Sequence, residues 1–262
     1  MTWNTNIAWD TVADLYDTYV QATFDIPFFV REALAKGRKR PGEVLELMAG
    51  TGRISLPLAE AGVHLTCVDA SAAMLERLQC KLEGRSLTAR LERQDVRELS
   101  LGQKYDLILL PFHSLSEITD PQERQQALER IHAHLKSGGR FICTLHNPAV
   151  RLKSATGQLQ LVGQHPLPDG AGTLLFWMHQ RYDPGKRLLS ILEIFEIYDA
   201  SGMQQSRRLL ELSAALIERE EFESAAEAAG FHPTALYGDY EYAPFDETAS
   251  PFMIWVLAKT TS

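Results

Sequence analysis

Three cysteines in 262 residues are too few for a disulfide scaffold, and Cys67, Cys80 and Cys143 share no metal-ligand spacing. Their odd number points to a reducing compartment. Cys67 and Cys143 fall in apolar runs that read as buried strands, where a small side chain packs well. No apolar run approaches the roughly 20 residues needed to cross a membrane. The opening residues, Met1-Thr-Trp-Asn-Thr-Asn6, lack the basic and apolar regions of a signal peptide, so a cytoplasmic protein is expected. Positive charge is also scarce: the net charge is −8, which disfavours a polyanion such as nucleic acid as partner. The basic cluster Lys36 to Arg40 reads as a solvated loop. No internal repeat or low-complexity segment is visible. The remaining composition, 45% hydrophobic and 23% charged, fits one large globular domain or a domain with a sizeable insertion.

The informative stretch runs from Gly42 to Ser71. Val44 to Leu47 is a short β-favouring run interrupted by Glu46. Gly50 and Gly52 follow at once, then a helical pattern from Ile54 to Ala61, then the apolar run Leu65 to Val68, which ends on Asp69. This is strand, glycine turn, helix, strand, acid: half of a mononucleotide-binding α/β fold. Glycines without Cβ let a ligand lie against the main chain, and a carboxylate at the tip of the second strand suits the two hydroxyls of a ribose. A dinucleotide fingerprint wants a third glycine where this chain has Ser55. Glu46 would repel a nearby pyrophosphate but suits a ligand bearing an ammonium and a sulfonium.

Glu46-Leu-Met-Ala-Gly50-Thr-Gly52 and the later Asp69 resemble motif I and the following acidic loop of the class I S-adenosylmethionine-dependent methyltransferases. The resemblance implies a Rossmann-like α/β fold. It has a seven-stranded sheet with the last strand antiparallel, and helices on both faces. S-adenosyl-L-methionine is then the cofactor and S-adenosyl-L-homocysteine the product. It implies that Glu46, Met48, Ala49, Gly50 and Gly52 lie along the methionyl part of the cofactor and that Asp69 binds the ribose. Ala70, Ser71 and Met74 then flank the adenine, Asp95 reaches its amino group and Val96 offers a backbone N–H. Tyr16-Asp17-Thr18-Tyr19 is similar to an element in an N-terminal helix that closes over the cofactor, which brings in Tyr16 and Tyr19.

The rest of the chain extends this pattern. Residues 7–35 read as helical, with Pro27 opening a second segment. Ser71 is placed to cap a helix whose Ala73, Met74, Leu78 and Leu82 face the sheet. Leu87 to Leu91 reads as a weak third strand and Tyr105 to Leu110 as a buried one. The latter continues into Pro111-Phe112-His113-Ser114, a loop beyond the carboxyl end of a strand, where sites of open α/β sheets form. It corresponds to motif IV of the family, where residues face the methyl group and the acceptor, so Pro111 and Phe112 join the cofactor set and His113 and Ser114 the acceptor set. His113 is the candidate catalytic residue, orienting the acceptor or taking its proton. Asp120-Pro121-Gln122-Glu123 is a helix start, with Leu128, Ile131 and Leu135 as its buried face and Ser137-Gly138-Gly139 as its end. Phe141 to Leu145 is expected as the fifth strand.

From about Asn147 helix–strand alternation gives way to β patterning. Runs at 158–162, 173–182, 188–198 and 204–212 are separated by Asp183-Pro-Gly185 and Asp199-Ala-Ser-Gly202, which read as hairpin turns. This is an antiparallel sheet inserted after the fifth core strand. Such an insertion resembles that of methyltransferases acting on amino sugars, glycine-like amines and other small metabolites, where it covers the active site. Trp177, His179, Arg181, Tyr182 and Tyr242 are the candidates for acceptor contact. The same sheet offers a surface for a homodimer. The expected division is 1–40 as N-terminal helical lid, 41–148 and 213–262 as cofactor-binding core, and 149–212 as inserted sheet. A helix from Glu220 to Ala229 and two last strands, from Phe231 and Phe252, complete the core.

The expected activity is transfer of a methyl group to a nitrogen or oxygen of a small-molecule acceptor. Three other readings stay open: a non-catalytic cofactor-binding subunit or sensor, an RNA methyltransferase, and a nicotinamide-dependent oxidoreductase. Glu46 and Ser55 argue against the last. Acidity, and the absence of an Asn/Asp-Pro-Pro-aromatic loop at 111–114, argue against methylation of nucleic-acid base amino groups.

Overall fold

The computed structural model describes residues 9–34 and 42–259. The basic cluster Lys36 to Arg40 and the first eight residues of the expected lid lie outside them. Two sheets organise the chain. The larger has seven strands: β1 (Glu43–Leu47), β2 (His64–Asp69), β3 (Arg90–Arg93), β4 (Tyr105–Leu110), β5 (Leu135–His146), β10 (Phe231–Tyr237) and β11 (Phe252–Lys259). Their spatial order is β10-β11-β5-β4-β1-β2-β3, with β11 antiparallel to both neighbours and the pairs from β5 to β3 parallel. The smaller is an antiparallel sheet in sequential order: β6 (Leu159–Pro166), β7 (Gly172–Asp183), β8 (Leu188–Asp199) and β9 (Gln204–Ala215). The architecture read from the sequence is the one observed.

Helices cover both faces of the large sheet. On one side α2 (Ile26–Ala33), α3 (Ser55–Glu60) and α4 (Ala72–Gly84) bury Phe28, Phe29, Leu58, Leu75, Leu78 and Leu82 against Val44, Leu65, Leu107 and Ile142. On the other, α5 (Pro121–Ala133) and α7 (Arg219–Ala228) bury Leu128, Ile131, Phe222 and Ala226 against Leu45, Ile108, Phe141 and Trp255. The caps behave as their sequences dictate. Ser71 Oγ accepts from Met74 N at 3.1 Å, and Asp120 accepts from Gln122 N at 2.7 Å and Glu123 N at 3.1 Å. A short α6 (Pro148–Arg151) leads into the small sheet.

Four expectations need correction. Residues 9–34 form no continuous helix pair. After the helical residues Trp9 and Asp10, one helical turn, α1 (Tyr16–Tyr19), sits in a strap of turns and extended chain that precedes α2. The cause is two docking surfaces: Val12 and Leu15 pack on the small sheet with Leu174, Phe195 and Leu210, whereas Phe28 and Phe29 pack on the large one. The third strand starts at Arg90, because Leu87 N still donates to Leu82 O at 2.9 Å and closes α4. Ser137-Gly138-Gly139 does not end α5. Tyr105 pairs with Leu135 and Leu107 with Arg140, so the extra residues bulge out of β5, with Gly138 at φ +72°. Finally, β9 runs to Ala215, past the expected boundary at 212.

Candidate active site

The bend after β1 is built by backbone angles that most side chains avoid: Met48, Gly50 and Gly52 have φ of +53°, +57° and +90°. The two glycines face different surroundings. A Cβ on Gly52 would stand 2.2 Å from Leu78 Cδ1, so this glycine lets α4 pack on the bend and does not line the cavity. A Cβ on Gly50 would meet nothing within 4 Å, and Gly50 lines the main cavity. Asp69 holds the bend from β2: its carboxylate accepts from Gly50 N and Ser71 N, each at 2.8 Å. Burial raises the Asp69 pKa and these backbone donors oppose the rise.

Beside the bend is a recess of about 40 Å³, walled by Tyr16, Glu46, Ala49, Arg53, Pro111 and Phe112. Glu46 is 1% exposed and accepts from Ser55 Oγ at 2.6 Å. Burial lifts it to about 8, against the pull of Ser55 and the Arg53 charge. Ser55 thus occupies the place of the missing third glycine and orients an acid. Arg53 was missed by sequence reasoning. It pairs with Asp25 at 2.7 Å, donates to Ala22 O at 3.0 Å and lies 4.4 Å over the Phe112 ring. The recess therefore presents the Glu46 carboxyl beside a guanidinium already paired with Asp25, two polar groups at the scale of an amino-acid end.

The main cavity, about 530 Å³, lies between the carboxyl ends of the large sheet, the strap and the small sheet. Its size is that of small-molecule sites. Asp69, Ala70, Ser71, Met74, Asp95 and Val96 all line the cavity. Asp95 is engaged by Arg97, whose Nε donates to it at 2.9 Å. Tyr16 and Tyr19 both line the cavity from α1. The Tyr19 ring is 4.7 Å from Phe176 and 5.0 Å from Phe195, and its hydroxyl is buried without a partner.

The loop after β4 contributes Phe112, His113 and Ser114 to the cavity wall. Phe112 and His113 are consecutive left-handed residues, with φ of +58° and +63°, a combination that stores strain. The His113 ring stacks on His146 with centroids 3.6 Å apart and on Phe252 at 5.2 Å. Its main-chain N donates to Thr144 Oγ1 at 3.3 Å. Burial, His146 and Arg151 push its pKa well below the ordinary range, so the ring is neutral at pH 7 and takes a proton poorly.

Two carboxyl groups that the sequence did not single out also line the cavity: Glu117, just past this loop, and Glu193 on β8. Trp9 Nε1 donates to Glu117 at 3.0 Å. Burial raises Glu117 to about 7, and burial together with Glu117 raises Glu193 to about 8. A signal for Glu193 was present: an acid in a strand whose same-face neighbours are Ile191 and Phe195. Five predicted acceptor contacts, Tyr182 among them, are not brought to the cavity. Trp177, His179 and Arg181 lie on the other face of β7, since Met178, opposite Glu193, points in. Trp177 Nε1 instead donates to Glu196 at 3.1 Å. Tyr242 packs 5.0 Å from Phe28 and donates to Glu32 at 2.8 Å, among residues that do not line the cavity.

Known proteins match this geometry. Residues 44–139 match the methyltransferase domain family. The cypemycin N-terminal methyltransferase of Streptomyces is 26% identical over 80% of this chain and 81% of its own length. The glycine/sarcosine N-methyltransferase of Aphanothece halophytica is 25% identical over 53% of this chain. Apart from the cypemycin enzyme, the chain spans about half the length of the first curated relatives it matches, for instance 51% of the Aphanothece enzyme. Among solved structures, the CcbJ methyltransferase of Streptomyces caelestis superposes with a TM-score of 0.80 at 24% identity, covering 99% of this chain and 100% of that one. Residues 44–139 thus carry the match to a methyltransferase domain, in a chain whose strand order and acid-bracketed glycine bend fit S-adenosylmethionine as cofactor.

Proposed function

We propose that the protein methylates a nitrogen of a small-molecule amine. The observation that carries this reading is the acceptor side of the cavity, which offers buried carboxyl groups and a neutral His113. Those carboxyls match the positive charge of an ammonium, which a hydroxyl acceptor lacks, and the freed amine needs mainly placement and loss of water. The N-methyltransferases among the relatives support nitrogen over oxygen.

Bound S-adenosylmethionine supplies an activated methyl group. The chain's own residues hold and orient. Glu46 and Arg53 receive the methionyl ammonium and carboxylate, beside Met48 and Ala49, and Gly50 lets the ligand lie on the main chain. Asp69 takes the ribose hydroxyls, while Ala70, Ser71, Met74, Asp95 and Val96 surround the base. Pro111 and Phe112 close the sulfur end, and His113 and Ser114 position the acceptor. Tyr16 and Tyr19 close the strap over both ligands, which makes the strap a lid. The core and the inserted sheet of the expected division act as cofactor site and acceptor cover. The outward face of the small sheet, with Leu159, Leu161 and Leu209 more than half or nearly half exposed, is the surface for a homodimer. Among the described residues no helix is long and apolar enough to cross a membrane. A cytoplasmic setting, in keeping with free Cys67, Cys80 and Cys143, completes the proposal.

The test is calorimetric titration with S-adenosylhomocysteine. Asp69→Ala removes the ribose acceptor and strands two backbone donors, at about 1–3 kcal/mol. Affinity should fall ten- to about a hundredfold. Unchanged affinity removes the cofactor assignment. Labelled-methyl transfer to amines but not to their alcohol counterparts then separates nitrogen from oxygen, and binding with no transfer at all favours the non-catalytic alternative.

A further inference from the structure

Glu193 is 7% exposed, lines the main cavity, and its Oε2 has no hydrogen-bond partner. Across the small sheet it faces Met178 on β7 and Leu210 on β9, both apolar. The Tyr19 hydroxyl, also in the cavity wall, is likewise buried and unpartnered. Glu117 enters from the other side, on the turn that packs against β9. Among the described residues neither carboxyl has an ion-pair partner. The titratable groups facing Glu193 are Glu117, Tyr16 and Tyr19, none of them cationic. A buried carboxyl with a spare oxygen in a ligand cavity is costly unless a ligand completes it.

We infer that Glu193 and Glu117, with the Tyr19 hydroxyl, form an ammonium subsite that takes the acceptor as a protonated amine and receives one of its protons. This rests on the amine-methyltransferase reading and names the substrate class: a primary or secondary amine that is cationic in water. In the step, an N–H bond of the ammonium breaks and its electron pair stays on nitrogen. The proton forms an O–H bond with the ionised carboxylate of the pair. At neutral pH the pair holds about one proton, because Glu117 is raised to about 7 and Glu193 to about 8. Its single negative charge matches one ammonium, and proton transfer leaves two neutral partners in a medium that disfavours charge. The amine lone pair is then free. The remaining donor–acceptor capacity, the Tyr19 hydroxyl and Glu193 Oε2, holds the neutral amine in place.

The experiment uses the full chain saturated with S-adenosylhomocysteine and two probes of one shape, cyclohexylammonium and cyclohexanol, followed by calorimetry or ligand-observed NMR. The wild type should bind the ammonium at least about tenfold more tightly than the alcohol. Glu193→Gln should abolish that preference while leaving cyclohexanol and S-adenosylhomocysteine affinities within about twofold. Glu117→Gln, which keeps an acceptor for Trp9, should weaken ammonium binding in the same direction and serves if Glu193→Gln folds poorly. Equal binding of the two probes, no ammonium binding, or an unchanged preference in both variants overturns the inference. Loss of S-adenosylhomocysteine binding by the wild type would instead defeat the cofactor assignment.

Discussion

Gly50 and Gly52 stand two positions apart and answer to different neighbours. Gly50→Ala places a left-handed non-glycine residue at a cost of roughly 1–2 kcal/mol, with open space around the new methyl. The methyl then stands where the ligand lies against the main chain. The expected result is a fall in melting temperature of a few degrees with at least about tenfold weaker S-adenosylhomocysteine binding. Gly52→Ala drives the methyl into Leu78 and should destabilise by several kcal/mol, about the range of an overpacked core together with backbone strain. Thermal melts beside titrations distinguish the two, and equal effects would reject the division of labour. The bend and Asp69 were legible in the sequence because they are close in the chain and their chemistry is local; that Gly52 serves packing on Leu78 and does not line the cavity was not. Glu193 was not legible as a site residue. It lies 76 positions beyond Glu117, by subtraction of their numbers, and only the packing of β9 on the 114–117 turn brings them together.

The strands of the small sheet show how far patterning alone reaches. Their number, order and hairpins follow from β-favouring runs and turn residues, but both faces carry apolar side chains, so alternation fixes the period and not the phase. The phase is set by the strap, whose Val12 and Leu15 seat on Leu174, Phe195 and Leu210. That puts Met178 inside and Trp177 outside. Met178→Trp should fill the acceptor part of the cavity and raise the acceptor KM at least about tenfold, with S-adenosylhomocysteine affinity within about threefold. Trp177→Ala should leave acceptor KM within about threefold. The reverse pattern in steady-state kinetics would mean that the strand is turned the other way in solution. The strap itself defeats a helical reading for the same reason: its apolar residues serve two sheets, and one helix face cannot.

Over the whole molecule, Glu46, Glu117 and Glu193 make stability depend on pH in an uncommon direction. Their folded pKa values, about 8, about 7 and about 8, lie above the ordinary 4.5. Between about 4.5 and 8 the folded chain therefore binds protons that the unfolded chain has released. Unfolding releases protons in this window, and the stability contributed by these groups is complete below about 4.5 and lost as pH rises through 7 to 8. The melting temperature of the ligand-free protein should fall from pH 5.5 to 8.5, and Glu193→Gln should flatten that fall; an identical slope in the variant would remove Glu193 from the account. The seven-stranded sheet and its cofactor end could be read from the sequence because each motif sits at a strand tip, whereas the acceptor end is assembled from the strap, one loop and one face of a second sheet. That assembly has a kinetic corollary. Asp17 is tied to Lys81 at 2.7 Å and Asp14 to Arg208 at 2.5 Å, so the strap is latched electrostatically to α4 and to β9. Half-exposed latches weaken as mobile ions screen them. Departure of spent S-adenosylhomocysteine, followed through Trp9 fluorescence, should quicken two- to about fivefold between about 0.05 and 0.5 M sodium chloride. Asp17→Asn should be faster at low salt and less responsive. Dissociation indifferent to ionic strength would mean that the gate swings elsewhere, and otherwise the tempo of turnover belongs to a latch remote from the transferred carbon.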